Sequence, residues 1–260
     1  MKIASFKSES ELLDYAKQLE GMRIADISAM VGRLDHEHRR LTKSVIANII
    51  ETDYFGIPTN SDEAPDFKEL GIELKVSPLK PIYNGTMLVA KERNVIGMVD
   101  YEDVLKNAVW KKNRRLAHKL GKVLFVFYVH DDAKLAGEWR VACVFLWSPT
   151  SEQDARIQRD YDIIRGKIQM GMPNREGDNE FLATCPKHEG GFDREEPASS
   201  NPNSLCDHPT MGMAERRGFC IRNKPVVEII AGSLGLRLKK KGASLGIPVG
   251  EFKVLGSPDR

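Results

Sequence analysis

Residues 65–75 of the chain read PDFKELGIELK. From Ile72 onward the stretch alternates apolar and charged side chains, which is typical of a β-strand, and Glu73 and Lys75 then leave the same face of that strand. Asp66 lies seven residues before Glu73, on the other side of a turn expected at Gly71. A hairpin-like path therefore predicts two carboxylates side by side with an ammonium group next to them.

Two carboxylates with an adjacent lysine suit metal-dependent phosphodiester hydrolysis. Mg²⁺ prefers oxygen ligands and is often held by one or two carboxylates and several waters. Such an ion lowers the pKa of a bound water, and a neighbouring ammonium group stabilises charge that develops at phosphorus. Chance produces a D-x6-E-x-K spacing about 0.1 times in a chain of this size, and any half-exposed strand alternates charged and apolar residues. The spacing alone leaves that structural explanation open.

The composition is that of an ordinary globular protein. The 260 residues include 39 Lys and Arg, 37 Asp and Glu and four Cys, with a formal net charge of +2. No apolar run has the length of a transmembrane helix, and the first twenty residues lack the apolar core of a secretion signal. We therefore expect a cytoplasmic protein with reduced cysteines and no membrane association. The small net charge by itself argues against a generic basic nucleic-acid binder.

Apolar periodicity predicts an α/β fold in which helices flank a central group of strands. The expected helices cover residues 11–20, 24–31, 42–53, 101–120, 151–170 and 226–234. The expected strands lie at 71–79, within 87–99, at 122–130, at 139–149 and at 219–222. Residues 172–216 are expected to be mostly loop, and residues 242–260 an irregular or extended tail.

The stretch at 65–75 resembles the core of the PD-(D/E)xK nucleases, and more closely their MutH-like branch, in which it reads roughly PDF-x-LG-(I/V)-ELK. Family members place a lysine eight residues before a glutamate on the preceding helix, and Lys43 and Glu51 match these positions. Ser44 and Ala47 stand where glycine is common in the family. Three later segments also resemble the family, so that the resemblance covers residues 20–235: FLWSP and its following helix, EFLATCPK, and AERRGFCIR.

This resemblance implies a restriction-endonuclease-like core with a central mixed β-sheet. In it Asp66 and Glu73 bind Mg²⁺, and Lys75 orients the attacking water and stabilises the transition state. Glu51 is implied as a further acid that positions the metal or its waters, and Lys43 as a phosphate contact. In the reaction of this family, water attacks phosphorus and leaves a 5′-phosphate and a 3′-hydroxyl.

Two segments depart from the repair-protein pattern. Residues 90–104 (AKERNVIGMVDYEDV) are more similar to restriction-enzyme members of the branch, and residues 186–210 have no counterpart in either group. We expect one MutH-like endonuclease domain over residues 1–260, with N-terminal helices in 1–40, the catalytic core in 41–185, and a DNA-recognition loop and C-terminal segment in 186–260.

Positive charge is concentrated locally although the total is near zero. Seven Lys and Arg fall within residues 106–122, and four more within 237–241. If residues 101–120 form one helix, Lys111, Arg114 and Arg115 share a face. Such clusters suit phosphate contact, which supplies affinity without sequence information, although a solvated face is the alternative. We expect DNA contact from the second cluster and from part of the first.

A further group of cations surrounds the RGF motif at 217–219. By position in the family segments, Lys187, Arg217 and Arg222 are the candidates for DNA contact, with Lys224 beside them. Arginine reads guanine through two hydrogen bonds, and a GATC site offers one guanine per strand.

The cysteines and histidines leave two interpretations open. Cys185 with His188, and Cys206 with His208, lie in or beside the insertion, and four such ligands can form a structural zinc site. However, C-x-H is a poor zinc spacing, and Cys220 lies on an apolar strand where cysteine is commonly buried. A packing role is the favoured interpretation. The chain has no GxxxxGK[ST] loop, so ATP is not expected as its cofactor.

Three functions are consistent with these observations. The first is a type II restriction endonuclease that uses Mg²⁺ to cut both strands of double-stranded DNA at a short palindrome, with GATC as the first guess. The second is a mismatch-repair endonuclease that nicks one unmethylated strand and depends on a partner ATPase. The third is a DNA-binding module without catalysis, which the intact triplet disfavours. With one site per chain, cutting both strands takes a homodimer or two visits.

Overall fold

Residues 65–75 lead into a central strand of a mixed sheet, in a computed structural model that describes residues 5–33, 42–58, 63–172, 174, 177–187 and 205–255. The helices are α1 (Glu9–Lys17), α2 (Ile24–Met30), α3 (Lys43–Asn48), α4 (Tyr101–Lys106), α5 (Arg114–Leu120), α6 (Ser151–Gln169) and α7 (Asn223–Leu234). The strands are β1 (Glu73–Ile82), β2 (Met87–Ala90), β3 (Asn94–Met98), β4 (Val123–Val129), β5 (Val141–Trp147), β6 (Leu182–Pro186), β7 (Leu205–His208), β8 (Gly212–Glu215), β9 (Arg217–Ile221), β10 (Lys239–Lys241) and β11 (Ser244–Pro248).

Six strands form the central sheet in the order β10-β11-β2-β1-β4-β5. Strands β1 and β4 are parallel, with Glu73 opposite Val123, and the other neighbours are antiparallel. A second sheet has the order β3-β9-β6, and β7 pairs with β8 as a hairpin. The α/β class with a mixed central sheet flanked by helices is therefore confirmed.

Two apolar cores cover the two faces of the central sheet because side chains alternate along each strand. On β4, Phe125 and Phe127 pack towards α6 and α7, whereas Leu124, Val126 and Tyr128 pack towards α1 and α2. All five of these side chains are almost completely buried. The long apolar strands predicted from the sequence therefore contribute side chains to both cores.

The predicted helix at 101–120 is wrong, because two asparagines interrupt it. Asn107 has an extended backbone after α4 and binds the Asp103 carbonyl through its side chain. Asn113 is the N-cap of α5, where its side-chain oxygen accepts the Leu116 N–H at 2.9 Å. Between them, the Trp110 indole donates to Asp154 of α6 at 2.9 Å. The hydrogen bond of this buried indole holds the segment against α6.

Three other elements differ from the sequence predictions. The helix predicted at 42–53 is α-helical only through Asn48, and Ile49–Tyr54 forms a π-helix. The described part of residues 172–216, predicted to be mostly loop, holds the strands β6, β7 and β8, and residues 188–204 lie outside the described residues. The predicted tail after residue 242 instead pairs with β2, because Ile247 is buried opposite Leu88.

Candidate functional site

A tight hairpin positions the two carboxylates predicted to act together. Phe67 and Ile72 exchange two backbone hydrogen bonds, of 2.8 and 3.2 Å, around a 3₁₀ turn that ends at Gly71 with φ of 65°. This left-handed conformation favours glycine. The Asp66 carboxylate then accepts the backbone N–H of Leu74 at 2.9 Å. Asp66 is thereby fixed against the backbone between Glu73 and Lys75.

Alternate residues of this hairpin anchor it in the core. Phe67, Ile72 and Leu74 are buried, and the Phe67 ring meets Phe55 edge-on with 5.6 Å between ring centroids. The polar residues of β1 therefore leave on the opposite side of the strand, as the sequence alternation predicts.

Glu73 is the most buried acid of the site and is bound by two ammonium groups. Its side chain is 2% exposed. Lys75 Nζ lies 2.6 Å from Oε1, and Lys119 Nζ lies 2.7 Å from Oε2. Burial and the nearby Asp66 raise the pKa of Glu73, and the two lysines oppose this shift. Burying a carboxylate is costly unless cations pair with it, so Glu73 requires positive charge close by.

Lys119 is a site residue that sequence reasoning missed, since it was counted only within the basic cluster at 106–122. It lies near the end of α5, four residues before β4 begins. Because β4 is parallel to β1 with Val123 opposite Glu73, the residues just before β4 lie beside the start of β1. The signal was therefore topological, and a motif could not supply it.

Glu51 enters the site from the π-helix. The Phe55 N–H donates to the Ile50 carbonyl at 3.1 Å, which is the five-residue repeat of this structure, and such segments often occur at functional sites. Burial raises the pKa of Glu51 to about 7, with contributions from Asp66 and Glu73 that Lys75 and Lys43 oppose. The predicted acids Glu51, Asp66 and Glu73 thus share one electrostatic environment.

The donor set is compatible with a hard divalent cation held by two carboxylates. Asp66 and Glu73 supply oxygen ligands, and Mg²⁺ is often bound by one or two carboxylates with water completing the shell. Within the described ranges, no group of three or more His, Cys, Asp or Glu side chains is arranged to hold a metal. The two ammonium groups on Glu73 instead supply positive charge there.

A basic groove of about 750 Å³ gathers two of the predicted DNA contacts. Arg222 and Lys224 lie at the N-terminus of α7, and Asn223 donates to the Ala90 carbonyl at 3.3 Å. On β1, Ser77 follows Lys75 on the same face, and its hydroxyl bonds to Asn94, the residue after Arg93 of the groove wall. The walls comprise Lys91, Glu92, Arg93, Arg156, Glu180, Arg222, Asn223, Lys224 and Pro225.

The other three predicted DNA contacts do not line the groove themselves. Lys43 forms an ion pair with Glu92, a wall residue of the groove. Arg217 donates to the Thr184 hydroxyl at 2.8 Å and to Glu215 at 2.6 Å, in a smaller pocket beside His208. Lys187 extends along the surface of Gly218 on the neighbouring strand β9.

The shared helix face predicted for Lys111, Arg114 and Arg115 is wrong, because Lys111 precedes α5. Lys111 bonds to Asp154 at 2.8 Å. Arg115 bonds to Glu63 at 2.6 Å, which ties α5 to the loop before the hairpin that carries Asp66 and Glu73. Part of the first basic cluster therefore forms ion pairs within the protein.

The described residues do not assemble the zinc site considered from the sequence. Cys185 lies in a small apolar cluster with Ala183 and Cys220 on β6 and β9. The His208 ring packs on Tyr101 with 4.5 Å between centroids. His188 lies outside the described residues. The positions of Cys185 and Cys220 agree with the packing role.

No helix in the described ranges is both long and apolar enough to cross a membrane.

The mixed sheet flanked by helices, whose first strand opens with Glu-x-Lys after a turn bearing Asp66, agrees with the restriction-endonuclease-like fold that the sequence predicts. Comparison with known proteins shows a more specific similarity. The family model described as "DNA mismatch repair enzyme MutH" matches residues 55–160.

Curated relatives named "DNA mismatch repair protein MutH" match a larger part of the chain. Those of Escherichia coli O9:H4 (strain HS) and Escherichia coli (strain K12) are 27% identical over 187 residues, which are 70% of this chain and 76% of each relative. The relative from Escherichia coli O139:H28 (strain E24377A / ETEC) is 26% identical over the same length. The resemblance predicted from the sequence is confirmed as a similarity: the chain is similar to proteins named MutH.

Proposed function

We propose that the protein is a sequence-specific endonuclease that hydrolyses phosphodiester bonds in duplex DNA. The observation that carries this proposal is the arrangement of Asp66, Glu73 and Lys75 at the start of β1, with the Asp66 carboxylate bonded to the backbone between the other two. The similarity to proteins named for DNA mismatch repair, and the basic groove whose wall residue Glu92 pairs with Lys43, support DNA as the substrate.

The proposed roles divide between charge and positioning. Asp66 and Glu73 would hold Mg²⁺, which when bound lowers the pKa of a coordinated water and neutralises charge at phosphorus. Lys75 orients the attacking water and stabilises the negative charge of the transition state. Glu51, with a pKa of about 7, positions water and is able to take up a proton near neutral pH. Water bonds to phosphorus and the bond from phosphorus to the 3′-oxygen breaks, which leaves a 5′-phosphate and a 3′-hydroxyl.

The groove provides the DNA contacts in this proposal. Arg222, Lys224 and Lys43 contact phosphates, and Lys187 and Arg217 contact DNA beyond the catalytic hairpin. Lys43 exchanges its ion pair with Glu92 for a phosphate when DNA enters. Phosphate contacts of this kind supply affinity and fix the register of the protein on the duplex.

We infer that the reaction is type II restriction at a short palindrome in the cytoplasm, with GATC as the first guess. The Lys91-Glu92-Arg93 segment, which is more similar to restriction-enzyme members of the branch, supports this choice. A homodimer, or two successive visits, then cuts both strands. The alternative is nicking of one strand with a partner ATPase, which the names of the relatives favour.

Conversion of a supercoiled plasmid tests these alternatives. The purified protein with Mg²⁺ alone is expected to produce linear DNA of discrete lengths. Accumulation of open circles without linear product would favour the nicking alternative, and an unchanged plasmid with or without added ATPase would refute both.

A further inference from the structure

The β10–β11 hairpin presents three consecutive lysines on the outer edge of the central sheet. Lys239, Lys240 and Lys241 form β10 and are all exposed. No carboxylate in the described part of the chain pairs with any of them. Nearby Arg237, in contrast, is bound by Glu251 at 2.9 Å. The edge strand therefore carries uncompensated positive charge.

A tyrosine held in an unfavourable conformation orders this edge. Tyr83 has φ of 52° and Asn84 has φ of 55°, in the turn between β1 and β2. A bulky side chain rarely adopts a positive φ. Here the Tyr83 hydroxyl donates to the Lys241 carbonyl at 2.7 Å, and the Lys241 ammonium lies 4.2 Å from the centre of the tyrosine ring. The contact fixes the tip of the hairpin and offsets the strain.

The lysine edge is distant from Glu73 of the candidate site. Glu73 begins β1 and Tyr83 follows its last residue, Ile82. Ten residues of strand at about 3.3 Å each separate the two ends by about 30 Å. No residue of the hairpin lines the basic groove. A phosphate on the hairpin is therefore not the one that is cleaved.

We propose that the β10–β11 hairpin is a second binding site for the phosphate backbone of duplex DNA, a proposal that rests on the proposed function. Lys239 and Lys241 leave the same side of the strand about 6.6 Å apart, which is comparable to the separation of successive phosphates on one DNA strand. The phosphates belong either to the cleaved duplex, about nine base pairs from Glu73 at 3.4 Å per pair, or to a second duplex.

Salt titrations of DNA binding test this proposal. The full chain and a variant with Lys239→Gln, Lys240→Gln and Lys241→Gln are compared by fluorescence anisotropy, without divalent metal, on duplexes of 12 and 40 base pairs. The matched control carries Lys7→Gln, Lys17→Gln and Lys134→Gln, which remove three exposed lysines elsewhere. Replacement of the three hairpin lysines by Arg is the conservative variant and is expected to retain binding.

The proposal predicts about tenfold weaker binding of the Gln variant to the 40-base-pair duplex. The log–log salt slope should fall by about 0.9 for each phosphate that the variant no longer binds. If the Gln variant binds the 40-base-pair duplex more weakly but the 12-base-pair duplex equally well, the ligand is the cleaved duplex. A stoichiometry of two bound short duplexes per wild-type chain, against one per variant chain, identifies a second duplex as the ligand instead.

The remaining outcomes overturn the proposal. Equal binding by variant and wild type overturns this proposal and leaves the proposed function intact. If the variant binds equally but self-associates, the lysines only protect a sheet edge from pairing with another chain, and the proposal is overturned as well. Failure of the wild type to bind either duplex overturns the proposed function together with this inference.

Discussion

Lys119 Nζ lies 2.7 Å from Glu73 Oε2, although 46 residues separate the two in the chain. Lys75 holds the other oxygen of the same carboxylate. Glu73 therefore has two cationic partners, one on its own strand and one from the helix before the neighbouring parallel strand. This second lysine is 12% exposed, so its charge acts in a partly desolvated environment.

Lys119→Ala is expected to lower DNA cleavage by about 10- to 100-fold, because the variant lacks an ammonium group that orients Glu73 and stabilises nearby negative charge. Binding of duplex DNA, measured by anisotropy, should change by less than about threefold. Lys119→Arg should retain part of the activity. Lys111→Ala removes a neighbouring cation that bonds to Asp154 and serves as the control. Equal activity of Lys119→Ala and this control would show that Lys119 has no role in the reaction.

The pKa of Glu51, which burial raises to about 7, predicts a pH-dependent stability difference. The stability that the protonated Glu51 carboxyl contributes is fully present below its unfolded pKa of about 4.3 and is lost as the pH rises through 7. Glu51→Gln stays neutral, so the variant should gain stability relative to the wild type as the pH rises, by up to about 3 kcal/mol.

Melting temperatures measured from pH 5 to pH 8 check this expectation. Exposed Glu69 lies in the catalytic hairpin, so Glu69→Gln is the matched control. If the difference between Glu51→Gln and wild type stays constant over this range, Glu51 has an ordinary pKa.

The short motifs of the sequence predicted the site better than they predicted its surroundings. Asp66, Glu73 and Lys75 are close along the chain, so a local turn and the strand alternation are enough to bring them together. Lys119 depends on which strands are neighbours, and that pairing is decided by burial of both sheet faces rather than by local pattern.

Elements with a buried polar group were the hardest to predict. The apolar periodicity of residues 101–120 fits one helix, but the Trp110 indole and the two asparagines find hydrogen-bond partners only when the helix breaks. The π-helix at Ile49–Tyr54 has the apolar spacing of an ordinary helix. In residues 101–120, tertiary contacts outweigh local propensity.

Asp160 is expected to be essential for the stability of the second sheet. Its buried carboxylate accepts the backbone N–H groups of Glu180, Phe181 and Leu182, at 3.1, 2.6 and 2.8 Å, where β6 begins. Asp160→Ala leaves these donors unsatisfied and should lower the free energy of unfolding by about 3 kcal/mol or more. Urea unfolding measures this decrease. Exposed Asp162 on the same helix provides the control Asp162→Ala, and equal decreases in the two variants would contradict the prediction.

The Lys43–Glu92 ion pair predicts that a single acid limits DNA affinity. Glu92→Gln releases Lys43 and removes a negative charge from the wall of the basic groove. Non-specific binding of duplex DNA should become about three- to tenfold tighter, with a salt slope about 0.9 steeper for one additional bound phosphate. Glu102→Gln, which opens an exposed ion pair with Lys106, is the control. Weaker binding by Glu92→Gln would mean that Glu92 itself contacts DNA.

Digestion of a sequenced plasmid, followed by run-off sequencing of the ends, tests the proposed endonuclease activity most directly. Wild-type protein with Mg²⁺ is expected to cut at one short sequence and leave 5′-phosphate and 3′-hydroxyl ends. Chelation of the metal, or the substitution Lys75→Ala, should reduce cutting by about 100-fold or more while duplex binding persists. An intact plasmid with wild-type protein, or cleavage by Lys75→Ala at the wild-type rate, would contradict the proposed activity and the role of this lysine.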